Sequence, residues 1–248
     1  METISVAYFQ EISLGQMDDV RFMDRIDRKY CMRKDKLPEL LERVKNNYYI
    51  LSVNNQREQV YNNIYLDSSN DRMYNDHIRG KLDRYKVRFR SYELSGESFL
   101  EVKHKIPSGR TFKKRVGCNG NREILSDALS GFLDRNLPFC YEDLRPVLVN
   151  RFTRITLVGK DYNERCTVDM DIAFEKDVNV GVLDNFVIVE VKSELYGTRT
   201  PLMNALRKMR IRPSSFSKYC FGRTWLDNNV KSSSYRPKMR EIMKLNYN

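Results

Sequence analysis

The chain has 248 residues, 41% of them hydrophobic, and a formal net charge of +11. This hydrophobic content excludes a wholly disordered chain, and the length suits one large domain or two smaller ones. The positive charge favours an anionic partner such as nucleic acid, anionic lipid, nucleotide or phosphate, without selecting among them.

Cysteine, histidine and apolar residues limit the compartment and the chemistry. The five cysteines are scattered and lack a Cys-x-x-Cys pair, which argues against a disulfide framework and a thiolate zinc site and favours the cytoplasm. No apolar run approaches transmembrane length and no signal peptide is evident, so we expect no intrinsic membrane segment. With only two histidines, a divalent metal would be bound by oxygens, which suits Mg²⁺ or Mn²⁺.

The first half of the chain begins with a helix and continues into strands. Apolar residues at helical spacing predict a helix over residues 37–48, and alternation predicts a strand over residues 59–67. Capping residues and a terminal glycine predict a short helix over residues 68–80. Short turns then join a meander of three strands, at residues 84–92, 98–106 and 110–116.

The second half repeats this grouping of strands and helices. The sequence predicts amphipathic helices over residues 121–136 and 200–211, and strands over residues 146–158, 164–174 and 185–194. Residues 226–248 are predicted to form a basic tail or a short helix. Because helices separate groups of strands instead of alternating with each strand, we expect an α+β protein with an antiparallel sheet or barrel.

One strand, "RYKVRFRSY", places cations on one face and apolar side chains on the other. The cations are Arg84, Lys86, Arg88 and Arg90, and the opposite face holds Tyr85, Val87 and Phe89. Four further strands share this design. An open sheet with a charged wet face is the ordinary explanation. A closed sheet would instead enclose a cationic lumen, which a polyanion would neutralise.

The residue types in these rows indicate phosphate. Arginine presents a planar fork that matches phosphate oxygens better than it matches a lone carboxylate. Among the scattered acids, chiefly Glu190 with Glu101 would hold a hard divalent cation that bridges phosphate and protein.

A series of short motifs resembles a known family. The motifs "DRKYCM", "YNNIYLD", "RFRSY", "FLEVKHK", "TFKKR", "LRPVLVNRFTR", "VIVEVKSE" and "SFSKYCFG" occur in this order between about residues 25 and 223. Together they resemble the VTC domain, the polyphosphate polymerase domain of the vacuolar transporter chaperone complex, in the CYTH-like triphosphate tunnel metalloenzyme superfamily. The resemblance implies a closed antiparallel eight-stranded β-barrel with helices packed outside, as a single domain over residues 1–225.

The resemblance also implies an activity and a set of residues. Members of this family transfer the γ-phosphate of ATP to a growing polyphosphate chain, with Mn²⁺ or Mg²⁺. The matching catalytic positions are Lys29, Arg88, Arg90, Lys103, Arg154 and Glu190. All of these except Glu190 match phosphate-binding positions, together with Lys113, Arg165 and Lys218. Lys114 is the alternative to Lys113, Glu190 matches the metal ligand, and Glu101 is a candidate second carboxylate for the metal.

Two other functions stay open at this point. A metal-dependent triphosphatase or polyphosphatase would use the same lumen with a carboxylate-held water, for which Glu101, Glu190 and Glu194 are candidates. A non-catalytic module would bind polyphosphate without turnover. Nucleic acid is not expected as a partner, because Tyr85 and Phe89 lie opposite the cationic face and are not placed to stack bases.

The expected partners are therefore ATP and inorganic polyphosphate or triphosphate. Eukaryotic members of the family also carry a phosphate-sensing domain and membrane helices. We expect neither in this chain, which leaves association with a membrane partner open. The sequence does not select the physiological acceptor, the direction of the reaction or the oligomeric state.

Overall fold

The computed structural model describes residues 6–18, 26–118, 127–193 and 199–247. The strands are β1 (Gln10–Ile12), β2 (Ile26–Arg33), β3 (Tyr48–Leu51), β4 (Glu58–Asp67), β5 (Arg84–Tyr92), β6 (Ser98–Lys105), β7 (Thr111–Cys118), β8 (Arg145–Gly159), β9 (Glu164–Lys176), β10 (Asn179–Leu183) and β11 (Phe186–Ser193). The helices are α1 (Leu14–Asp18), α2 (Leu37–Val44), α3 (Arg72–Ile78), α4 (Asp127–Asp134), α5 (Pro201–Lys208), α6 (Lys218–Leu226) and α7 (Arg236–Tyr247), with a 3-10 turn at Lys34–Lys36.

One large sheet organises the molecule. Its main path runs β2-β11-β9-β8-β4-β5-β6-β7, and every pair of neighbours along it is antiparallel. Strands β10 and β3 extend it beside β9 and β8, and β1 pairs with β3. The predicted α+β class and antiparallel sheet are therefore confirmed.

The predicted helices and strands agree with the structure in type better than in their boundaries. Each strand predicted from alternation is present, while β1, β2, β3 and β10 were not predicted as strands. The helix predicted over residues 37–48 ends early, at Val44, and Tyr48 already begins β3. The first six residues of the helix predicted over 121–136 lie outside the described residues, as does Glu194. The domain limits of 1–225 stay a prediction.

The prediction of a closed barrel is wrong. Within the described residues no ladder joins β7 to β2, the two ends of the main path. The outer edge of β2 already has a partner, because the Ser214 amide donates to the Lys29 carbonyl at 2.8 Å and Tyr30 bridges to Pro213. A covering segment of this kind blunts an edge strand. The sheet is consequently open between β2 and β7.

Helices cover the apolar outer face of the sheet. Pro38 lies in the first turn of α2, where its missing amide costs nothing, and the helix buries Leu37, Leu40, Leu41 and Val44. This stripe packs with α5 on β2, β11, β9 and β8. Helix α4 packs on the outer face of β5 and β6, where Val87 and Phe89 are buried.

Helices α6 and α7 fill one end of the opposite face. Phe216, Tyr219 and Phe221 pack with Phe186 and Ile188 of β11. Asp67 accepts hydrogen bonds from the Tyr219 hydroxyl and from two amides at the start of α3, which fixes α6 beside α3. The rest of this face carries polar and charged side chains together with a few aromatic rings. No helix in the described ranges combines the length and the apolar character needed to span a bilayer.

Candidate phosphate-binding site

Strand register brings the predicted site residues to one face of the sheet. Residues directly opposite each other in an antiparallel pair share a face. Lys29 opposes Glu190, Arg154 opposes Asp169, and Arg88 opposes Glu101. We call this face, from β2 to β7, the trough. The predicted strand residues that it carries are Lys29, Arg88, Arg90, Glu101, Lys103, Lys113, Arg154, Arg165 and Glu190.

The walls of the trough face one another although the sheet is open. Lys103 on β6 lies close enough to Glu190 on β11 and Lys29 on β2 for their charges to affect its pKa. The start of α6 spans the same space: Lys86 of β5 donates to the Ser217 hydroxyl at 2.9 Å, and Lys218 donates to Asp169 of β9. The predicted lysine of α6 is thereby brought into the site.

Glu101 is held by cations from two neighbouring strands. Its side chain is 3% exposed, accepts hydrogen bonds from Arg88 at 2.7 and 2.9 Å, and forms an ion pair with Lys113 at 2.5 Å. Burial alone would raise the pKa of this carboxyl, but Arg88, Arg90 and Lys113 together lower it to about 2. The contact settles the register of β7, since Lys113 faces the trough, and its neighbour Lys114 therefore faces outward.

Asp169 forms a second cluster, which we call the Asp169 cluster, with Arg154 and Lys218. Arg154 binds it through two hydrogen bonds of 2.5 and 2.8 Å, the bidentate geometry that arginine favours, and Lys218 donates to the same carboxylate. Burial opposes ionisation of Asp169, yet these two cations lower its pKa to about 2. All three charges therefore persist at neutral pH and fix one another in place.

Glu190 has one close partner in the described residues. Lys29 donates to its Oε1 at 2.6 Å, and the carboxylate is only partly exposed. Burial would raise its pKa, but Lys192 and Lys29 hold it well below the usual range. Glu190 is therefore a permanently ionised oxygen donor.

Three lysines stand side by side across β5, β6 and β7. Lys86 opposes Lys103, and Lys103 opposes Lys113; we call these three the lysine row. No carboxylate of the described residues lies within ion-pair distance of Lys103. Desolvation by the surrounding walls, more than neighbouring charge, lowers the pKa of Lys103 to about 7, although Lys103 is an exposed residue. The same cause lowers the pKa of Lys86 and of Lys113 to about 8.

Aromatic side chains also line the trough, and the sequence analysis missed them. Phe152, Tyr61, Tyr92 and Phe99 form a row in which neighbouring ring centroids are 5.3, 5.0 and 5.9 Å apart. The guanidinium groups of Arg90 and Arg154 lie 5.1 and 4.9 Å from the Tyr61 ring. The sequence does predict them, because alternation along a strand puts Tyr92 on the same face as Arg90 and Phe99 on the same face as Glu101.

The remaining candidates are further apart. Arg165 shares the trough face but lies towards its end, in register with Lys192 and four residues from Asp169 along β9. Glu101 and Glu190 lie on different strands, and the described residues contain no group of three or more His, Cys, Asp or Glu side chains placed to hold a metal. The site is thus rich in fixed cations, with carboxylates distributed singly among them.

Solved structures of other proteins resemble this chain in fold. HpAC1 from Hippeastrum, an adenylyl cyclase candidate with a dominant triphosphatase activity, aligns with a TM-score of 0.52 and 11% identity over 81% of this chain and 97% of its own. A proposed adenylate cyclase from Vibrio parahaemolyticus aligns with a TM-score of 0.48 and 10% identity over 79% and 96%. A comparison with curated proteins finds no match. The chain thus shares the overall fold of HpAC1.

The sequence itself identifies the family. The family model of the VTC domain matches residues 24–226, most of the chain. The chain belongs to the VTC domain family.

Proposed function

We propose that the protein is an ATP-dependent polyphosphate polymerase. The observation that carries the proposal is the trough itself, in which cations from facing walls outnumber the carboxylates. Phosphoryl transfer depends mainly on positioning and on neutralising the charge of the transferring oxygens. The fixed guanidinium groups of Arg88, Arg90 and Arg154 are suited to both tasks.

The reaction balances without any other reactant. A terminal oxygen of the polyphosphate chain attacks the γ-phosphorus of ATP, a new P–O bond forms, and the bond from the γ-phosphorus to the β,γ-bridging oxygen breaks. ADP leaves with that electron pair, and the chain grows by one phosphate.

The trough carboxylates favour transfer to phosphate over transfer to water. An efficient general base has a pKa near the working pH, but the pKa values of Glu101 and Asp169 are about 2. A terminal phosphate oxygen is already ionised and needs no base, whereas water does. Lys103 has a pKa near 7 in the free protein, but an adjacent phosphate would favour its charged form and so remove it as a base.

A divalent cation fits the site if protein carboxylate and substrate phosphates bind it together, and not if the protein must supply all of its ligands. Mg²⁺ and its analogues are commonly bound by one or two carboxylates together with substrate phosphates. Glu190 provides one ionised carboxylate beside the phosphate-binding cations. Mn²⁺ or Mg²⁺ bound there would add positive charge next to the transferring phosphate.

Triphosphate or polyphosphate hydrolysis is the second candidate, favoured by the dominant triphosphatase activity of HpAC1. The test is to incubate the pure protein with ATP and Mn²⁺ and to separate the products on a gel. Long phosphate chains with ADP support the polymerase. Free phosphate without chains would establish the hydrolase instead, and retained polyphosphate binding without any turnover would establish a binding module.

Substitution of Glu190 tests its proposed role as a metal ligand. We expect Glu190→Gln to lower turnover by roughly 100-fold or more, because one point of charge stabilisation is lost, while inorganic tripolyphosphate still binds without metal. Glu39→Gln, on the outer helix α2, is the matched control. Unchanged turnover in Glu190→Gln would remove the metal role.

A further inference from the structure

The aromatic row ends beside an open space at one end of the trough. Gly117 of β7 lies directly opposite Phe99 of β6. A Cβ atom on Gly117 would meet no heavy atom of the described residues within 4 Å, and the backbone of Gly117 does not have the positive φ that favours glycine. Glycine inside a strand often marks a place where a ligand comes close to the backbone.

Flat groups surround this space. The Arg115 guanidinium lies 4.4 Å from the centroid of the Phe99 ring, and the ring of Tyr92 meets Phe99 edge to face at 5.9 Å. Phe99 and Tyr92 are partly exposed and Arg115 is exposed. Rings of this kind stack with any nucleobase, and a guanidinium plane contributes a cation–π contact.

The space lies at the right separation from the phosphate-binding cations. Phe99 is two residues from Glu101, Tyr92 is two residues from Arg90, and Arg115 is two residues from Lys113. Two residues along a strand span about 7 Å. A nucleoside in the space would thus leave its phosphates next to Arg90 and Lys113.

We propose that Phe99, Tyr92, Arg115 and Gly117 form a slot that binds the nucleoside of the phosphoryl donor. The inference rests on the proposed function, because it assigns a nucleoside triphosphate, and not inorganic triphosphate, as the donor. We assign a nucleoside to the slot because Arg90 and Lys113 lie two strand residues away, where its triphosphate would be bound, and binding of a nucleic-acid strand is an outcome of the test below.

The test compares two ligands that share a triphosphate and differ in the nucleoside. Dissociation constants for ATP and for inorganic tripolyphosphate are measured by calorimetry in the wild type, Phe99→Ala and Gly117→Val. Valine suits a strand and would fill the space. We expect both variants to weaken ATP binding by about 5- to 150-fold, the effect of losing one stacked base, and to leave tripolyphosphate binding unchanged.

Phe112→Ala is the matched control, because this ring is 52% exposed on the outward face of the same strand as Gly117. It should change neither constant, and circular dichroism should show that all three variants are folded. Equal weakening of ATP and tripolyphosphate in both variants would overturn the slot. Competition of a short oligodeoxythymidine with ATP, lost in Phe99→Ala, would overturn it in favour of nucleic acid.

These binding measurements test the slot separately from the polymerase activity. Binding that discriminates ATP through the slot, in a protein that makes no polyphosphate, would retain the slot and reject the polymerase. Polymer formation with an unchanged preference for ATP in both variants would retain the polymerase and reject the slot.

Discussion

The Asp169 cluster and the lysine row lie in the same trough, but their positive charges are neutralised to different extents. In the Asp169 cluster the carboxylate binds Arg154 and Lys218 directly. The side chain of Asp169 is 5% exposed, that of Arg154 14% and that of Lys218 12%. In the lysine row, like charges stand opposite one another and Lys103 has no carboxylate in contact within the described residues. The Asp169 cluster thus contains its own counter-charge in the free protein, whereas in the lysine row Lys113 pairs with Glu101 and Lys103 has no such partner, which makes the lysine row the incomplete region.

The difference shows how a cationic site is kept folded without its ligand. Buried charges need partners, and a carboxylate provides one within the chain. Such a pair also holds the guanidinium in place before substrate arrives, so no reorganisation is needed during the reaction. Within the lysine row, Lys113 has such a partner in Glu101 but Lys103 has none among the described residues, and we infer that bound phosphate supplies its counter-charge.

Removing the carboxylate of the complete region should have the largest effect. Asp169→Asn leaves Arg154 and Lys218 buried without counter-charge, and we expect the free energy of unfolding to fall by about 3–5 kcal/mol. Urea denaturation followed by circular dichroism measures it. Added tripolyphosphate should restore part of the loss, because it binds only the folded state.

Asp171→Asn is the control for that substitution. Asp171 is exposed, pairs with Lys34, and has a positive φ that asparagine also adopts readily. Its removal should change stability by less than about 0.5 kcal/mol. Similar losses in the two variants would contradict the distinction between the two regions.

Removing a charge from the incomplete region should have a smaller effect of opposite sign. Lys103→Met relieves repulsion from Lys86 and Lys113, and we expect the free energy of unfolding to rise by up to about 1 kcal/mol. Tripolyphosphate should bind more weakly to this variant, so its stabilising effect on unfolding should shrink. A variant that is clearly destabilised without ligand would show that Lys103 already has its counter-charge in the free protein.

Most of the trough could be predicted because alternation in a strand decides which side chains share a face. "RYKVRFRSY" alone placed Arg88 and Arg90 together and opposite Val87 and Phe89, as the structure has them. The same rule placed Tyr92 on the cationic face, but only the charged residues of that face were predicted to belong to the site. Lys29 is a different case, since β2 carries Arg28 on its outer face and shows no clear alternation. Only the family resemblance assigned Lys29 to the site.

The open edge of the sheet could not be read from local pattern. It depends on Pro213 and Ser214, which reach β2 from a distant part of the chain. Alternation within a strand fixes the faces of that strand but not its neighbours. The partner of a strand edge is a property of the tertiary fold.

The pH dependence of binding gives the finest test of the incomplete region. Lys103 loses its proton above about pH 7 in the free protein. Desolvation lowers its pKa most, Glu190 raises it, and the cations Lys29, Lys86 and Arg88 lower it further. Bound phosphate favours the protonated form, so binding above pH 7 takes up a proton and affinity falls as pH rises. Arginine keeps its charge throughout this range, so Lys103→Arg should bind tripolyphosphate with a shallower pH dependence.

Lys114→Arg, on the outward face of β7, is the control and should keep the wild-type slope. Calorimetry of tripolyphosphate between pH 6 and 9 measures all three proteins, and the ligand's own protonation cancels because it is common to them. Three other trough lysines with pKa values of about 8, Lys86, Lys113 and Lys218, keep some pH dependence in every variant. Parallel curves for Lys103→Arg and the wild type would mean that Lys103 keeps its proton without ligand, and the trough would then be charged throughout before phosphate binds.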